Sequence, residues 1–207
     1  MLAKGRHWPL IDRVLLGDGR GHILASYNLG TAADRTYSGL LVDVDSDRDL
    51  DVVISNDDPD PKLVYLNDGK GHFHVGSSFG RAEWETRNAT VADLNGDGQP
   101  DIIAANRVSK GAPANDVCLN RGHGRFDANC LPFSHEPATT IAAADVNRDG
   151  RIDLIVPHRD GGQSYVYFND GFAIADVDED GHLDIALVRS EAPTVLYFAG
   201  AAATGSR

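Results

Sequence analysis

One nine-residue pattern, repeated four times, limits what this chain can fold into. It reads Asp43-Val-Asp-Ser-Asp-Arg-Asp-Leu-Asp51, Asp93-Leu-Asn-Gly-Asp-Gly-Gln-Pro-Asp101, Asp145-Val-Asn-Arg-Asp-Gly-Arg-Ile-Asp153 and Asp176-Val-Asp-Glu-Asp-Gly-His-Leu-Asp184. Each copy sets oxygen-bearing side chains at positions 1, 3, 5 and 9, and three of the four have Gly at position 6. A hard cation such as Ca²⁺ takes six to eight oxygens at about 2.3–2.6 Å, and alternating carboxylates on a tight turn supply them together with one backbone carbonyl. Gly at position 6 allows the positive φ that folds the later ligands back over the ion.

The first half of the pattern also suits an EF-hand, which requires a bidentate Glu at position 12 and a helix on each side. Position 12 is Ile54, Ala104, Val156 and Leu187, all apolar, and the flanks are short and rich in β-branched residues. These loops join strands.

A second motif travels with the first. Leu66-Asn-Asp-Gly-Lys-Gly-His-Phe73 recurs as Leu119-Asn-Arg-Gly-His-Gly-Arg-Phe126 and, earlier, as Leu16-Gly-Asp-Gly-Arg-Gly-His-Ile23, with a stub at Phe168-Asn-Asp-Gly171. It is a hairpin turn, with the glycines and Asn expected at positive φ. Asp43 to Asp93 is 50 residues and Asp93 to Asp145 is 52, so one unit is about 50 residues long. In the best-preserved unit the strands are expected near 37–42, 51–55, 62–66 and 72–78, and in the next near 88–92, 101–105, 115–119 and 125–131. Four antiparallel strands per repeat, with no helical period, describe an all-β propeller of four-stranded blades.

The chain thereby resembles the FG-GAP/VCBS repeat family, which includes the propeller head of integrin α subunits. Besides the acidic loops, Phe79-Gly80 and Gly111-Ala-Pro113 carry the likeness. The resemblance implies up to four Ca²⁺ ions, one per loop. Side-chain ligands would be Asp43, Asp45, Asp47 and Asp51; Asp93, Asn95, Asp97 and Asp101; Asp145, Asn147, Asp149 and Asp153; and Asp176, Asp178, Asp180 and Asp184. Position 7 would give its backbone carbonyl, from Asp49, Gln99, Arg151 and His182. Arg48 stands where Gly is expected, which makes the Asp43 site the weakest of the four.

Spacing also sets the blade count. From the turn Asn to the next loop takes 26 residues (Asn67 to Asp93) and 25 (Asn120 to Asp145) but only 7 from Asn169 to Asp176, so the third blade should lack its outer strand. The expected organisation is one propeller domain over 1–198, with units near 31–80, 81–133, 134–171 and 172–198, a half blade at 13–30 and a disordered tail at 199–207. Pairing the half blade with the last unit would close a small ring of about four blades; otherwise the chain is an arc of a larger propeller with open edges, which invite self-association.

Sixteen of the 31 acidic residues lie in the four loops, so the formal charge of −12 has a local cause. Nucleic-acid binding is disfavoured, since no basic stripe appears. No run approaches the roughly 18 apolar residues of a membrane span, and Met1–Trp8 lacks the apolar core of a signal peptide. Cys118 and Cys130 flank the second turn; a tight turn would set Cys118 opposite about residue 126, leaving a disulfide and two half-buried thiols both open.

A catalytic ion would need an open coordination position beside a substrate pocket, of which the sequence gives no sign, so the expected ion is structural and no catalytic residue is assigned. At the opposite end of the blades, Arg35, Tyr37, Trp84, Arg87, Arg107, His135, His158 and Arg159 form a candidate ligand face. The resemblance implies a binding or adhesion module for protein or glycan, working outside the cell or in the periplasm. The alternatives are a propeller enzyme, such as a polysaccharide lyase or hydrolase using that face, and a fragment without function of its own.

Overall fold

The computed structural model describes residues 8–107, 115–126, 128–134, 137–157, 163–169, 171–175, 184–187 and 195–197, with strands 172–175, 184–187 and 195–197 described as backbone only. The strands are β1 (Arg13–Gly17), β2 (Ile23–Asn28), β3 (Thr36–Val42), β4 (Asp51–Asn56), β5 (Lys62–Asn67), β6 (Phe73–Phe79), β7 (Glu85–Ala92), β8 (Asp101–Arg107), β9 (Asn115–Cys118), β10 (Leu131–Ser134), β11 (Ala142–Ala144), β12 (Asp153–Val156), β13 (Tyr165–Tyr167), β14 (Phe172–Ala175), β15 (Asp184–Leu187) and β16 (Val195–Tyr197). They form five antiparallel sheets in chain order: β1-β2, β3-β4-β5-β6, β7-β8-β9-β10, β11-β12-β13 and β14-β15-β16. Consecutive strands joined by tight turns make each sheet a propeller-like blade. The fourth sheet, the third blade of the sequence reading, ends at β13, where the spacer shortens.

The second strand of each full blade explains the packing. All of β4 is buried, as is β8 apart from Arg107. Successive side chains point to opposite faces, so Val52 and Ile54 pack towards Val14 and Leu29, while Val53 faces the next blade with Val64, Phe79, Ile102 and Ala104. On β8 the neighbours Ile103 and Ala105 turn the other way, joining Val117, Phe133, Leu154 and Val156. Burying each Val or Ile contributes about 1.5–3 kcal/mol, and a strand buried on both faces reads as a continuous apolar run. Among the described residues the core is therefore a stack of three layers, one between each adjacent pair of the first four sheets. β3 lies beside β7 and β7 beside β11, so the first strands share one side of the stack.

One open alternative narrows and one expectation changes. Among the described strands no closed ring forms, in keeping with the open arc: β1 and β2 make a sheet of their own, and that hairpin packs on the first full blade through Val14 and Leu29 instead of pairing with β14–β16. The outer strand of the second blade is Leu131–Ser134, not 125–131. Its turn is wide, held by Arg121 N–H to Arg125 O at 2.8 Å and Arg125 N–H to Gly122 O at 3.3 Å, and Phe126 turns into the core. Leu131 then faces Val117, which brings Cys130 to Cys118, and the two are disulfide-bonded. The 199–207 tail lies outside the described residues.

Candidate metal centre

The first loop is a coil of side-chain-to-backbone hydrogen bonds. Asp43 accepts from Ser46 N–H at 2.8 Å and from Arg48 N–H at 3.0 Å. Asp47 accepts from Asp49 N–H at 2.8 Å, and Asp51 closes the loop by accepting from Val44 N–H at 2.9 Å and from Asn67 N–H at 2.9 Å. A carboxylate oxygen has two lone-pair sites, so one accepted N–H leaves capacity for a cation. Asp43, Asp45 and Asp51 each bring a carboxylate oxygen within 4.8 Å of the others. Oxygens about 2.4 Å from a common Ca²⁺ lie within that separation of each other, so the donor set fits the ion. Burial, followed by the charge of Asp47, pushes the Asp45 carboxyl up, the electrostatic cost that a bound cation would relieve.

The second and third loops repeat this frame. Asp93 accepts from Gly96 and Gly98 N–H at 2.8 and 2.9 Å, and Asp145 from Arg148 and Gly150 N–H at 2.6 and 3.0 Å. Asn95 and Asn147 each accept from the N–H at position 5, both at 3.0 Å. Gln99 and Arg151 N–H donate to the position-5 carboxylates of Asp97 and Asp149. The position-6 residues Arg48, Gly98 and Gly150 have φ of 78°, 82° and 88°, as the spacing requires. Position 4 is also left-handed, at Ser46 (67°), Gly96 (76°) and Arg148 (65°), which the sequence did not announce because only one of the three is Gly. Of the fourth loop, Asp176, Asp178, Asp180 and His182 lie outside the described residues, and Asp184 opens β15.

Sequence reasoning assigned the turn Asn the wrong role. Among the described residues the non-Gly positions at positive φ are Ser46, Arg48, His123 and Arg148, so Asn67, Asn120 and Asn169 are not there for their backbone. Each gives its backbone N–H to the position-9 carboxylate of its own blade, at 2.8–2.9 Å. The side-chain amides reach further. Asn120 Nδ2 donates to Val44 O at 2.8 Å and to Pro100 O at 3.1 Å, while Asn169 Nδ2 donates to Leu94 O at 3.0 Å. Val44 and Leu94 hold position 2 of the preceding loop and are buried in the layer between blades. Asn67 Nδ2 binds Leu50 O of its own blade. The readable signal was the return of Asn at the same place in all three turns, two residues before a recurring Gly that already accounts for the positive φ.

Position 9 is the most enclosed of the ligand positions: Asp51, Asp101 and Asp153 are fully buried. Burial pushes the Asp101 carboxyl up to about 6, against the two N–H groups that favour its charge.

Among the described residues of the candidate ligand face, Arg35, Tyr37 and Arg87 are tied within the chain. Arg35 is held by Asp60 at 3.0 Å. Arg87 lies 4.1 Å from the centre of the Tyr37 ring and pairs with Asp57 at 2.8 Å and Glu85 at 3.1 Å. Trp84 is half-buried over Gly80, where an added Cβ would meet its ring, and Arg107 is exposed at the end of β8. His135, His158 and Arg159 lie outside the described residues. Beside them is a group the sequence hid: buried Lys62 donates from Nζ to the carbonyls of Asp60, Ala82 and Trp84 at 3.2, 2.7 and 2.6 Å, and burial lowers its pKa to about 8. A single Lys at a strand start reads as solvated, and nothing in its neighbours distinguishes it.

Among the described residues no helix is long and apolar enough to cross a membrane. A comparison with curated proteins finds no match. The FG-GAP-like repeat model matches residues 43–104 and 93–156, more than half of the chain. Each match begins at the first Asp of a loop and runs into the second strand of the next blade, the same unit that the hydrogen bonds repeat. By that match and that frame, the chain belongs to the FG-GAP-like repeat family.

Proposed function

We propose that this protein is a calcium-stabilised binding module for a protein or carbohydrate partner outside the cell or in the periplasm. The observation that carries the reading is the convergence of Asp43, Asp45 and Asp51 within 4.8 Å, in a loop frame that the second and third loops reproduce. Asp43, Asp45, Asp47 and Asp51, and their counterparts at 93–101 and 145–153, would hold the ion with the position-7 carbonyl. Bound calcium would neutralise the clustered carboxylates and stiffen the loops; no chemistry on a substrate is assigned to it. The Cys118–Cys130 disulfide supports an oxidising compartment. The family supports binding as the kind of work done, with the partner met at loops carried on rigid blades.

Thermal unfolding with excess EDTA and then with about 2 mM calcium tests this. At a dissociation constant of about 10⁻⁴ M each filled loop adds about 2 kcal/mol, so the melting temperature should rise by many degrees. An unchanged melting temperature would mean that the loops are acidic turns held by their own N–H groups, and the reading would fail.

A further inference from the structure

We propose that Asn120 and Asn169 are positioning residues for the cation loop of the preceding blade, so that each blade completes the metal site of the blade before it. This rests on the calcium reading above. The amides fix one atom each in those loops, the position-2 carbonyls Val44 O and Leu94 O. Position 2 lies between the first and second side-chain ligands, Asp43 and Asp45 in one loop and Asp93 and Asn95 in the other. Holding that peptide plane therefore sets the two ligands relative to each other before any ion arrives, and such preorganisation is what outer-shell partners supply at metal sites.

Packing reinforces the bond. An added Cβ at Gly124, in the second blade's turn, would lie 3.0 Å from Val44 Cγ2 and 3.5 Å from Asp45 Cβ, so that turn rests on the first loop. Ser77 Oγ donates to Gly124 O at 2.8 Å, fixing the turn from the first blade's side. The donor and acceptor are 76 and 75 residues apart in the two cases, one and a half repeat lengths, which makes the contact a property of the repeat and not of one place in it. By linkage, calcium in one loop must in turn favour the seating of the next blade's turn.

Asn169 gives the cleaner test: among the described residues its amide N–H donates to Leu94 O alone and its amide oxygen accepts from Gly171 N–H within its own turn, while its own loop is held through its backbone N–H to Asp153, which substitution leaves in place. Gly98 and Gly150 N–H donate to the position-1 carboxylates of the second and third loops, so their NMR amide resonances report calcium at each loop separately. In the full chain titrated with calcium, Asn169→Ala should raise the midpoint at Gly98 about tenfold and leave Gly150 unmoved. Asn169→Asp, which keeps the acceptor for Gly171 N–H and removes the donor, should do the same and serves if the alanine variant does not fold. Equal shifts at both glycines, or none at Gly98, would overturn the positioning role while leaving calcium binding intact. Silence of both glycines in the unaltered protein would overturn the calcium reading and this inference together.

Discussion

Arg48 holds φ at 78°, a conformation that costs an L-residue about 1–2 kcal/mol and glycine almost nothing. Arg48→Gly should therefore stabilise the calcium-free protein by about 1 kcal/mol in urea unfolding and tighten the first loop; an unchanged midpoint would remove strain as the reason for that loop's weakness. Asp116 is a second isolated case. It is buried, and among the described residues the Asn106 amide, at 3.1 Å, and the field of Arg81 favour its charge, yet burial raises its pKa to about 7. A raised carboxyl binds its proton more tightly folded than unfolded. The resulting destabilisation is absent below the unfolded value of about 3.9, grows through the interval, and is complete above about 7, where three units correspond to about 4 kcal/mol. Asp116→Asn should thus match the parent near pH 4 and exceed it in stability above pH 7, by a difference read from urea midpoints; a constant difference across pH would refute the assignment. At this scale the sequence was legible where glycine recurs at a position of positive φ, as at Gly98 and Gly150. It was silent at position 4, where Ser46 and Arg148 tolerate the same φ, and at Lys62, whose three carbonyl partners come from two separate loops.

The elements were legible to within a few residues because apolar alternation and loop spacing both mark strand ends. The exception, β10, shows what local pattern omits. A glycine-rich turn looks the same whether two or twelve residues separate the paired positions, and here Phe126 is claimed by the layer with Val44 and Ala89, so pairing resumes only at Leu131. The disulfide follows from that late register. It closes a span of 12 residues, for which loop entropy in the unfolded chain gives about 3 kcal/mol. Replacing both cysteines by alanine should lower unfolding stability by about that amount. The parent under reducing conditions should show the same loss, and if it does not, the bond contributes little to the folded state.

For the whole molecule, sequence spacing foretold antiparallel sheets that follow one another in chain order, since each unit carries its own loop and turn. How the sheets meet was not legible, because it depends on which face of β4 or β8 each side chain takes and on which loop a side-chain amide can reach. Val52 and Val53 are adjacent and chemically identical, yet they belong to different layers. The reach of the Asn amides to the preceding loop gives the stack a direction. A unit joined behind the last one fastens its neighbour and leaves its own loop unfastened; a unit joined in front is fastened by what already stands there. Growth of such a chain by duplication therefore always carries one loose end, and always the same one.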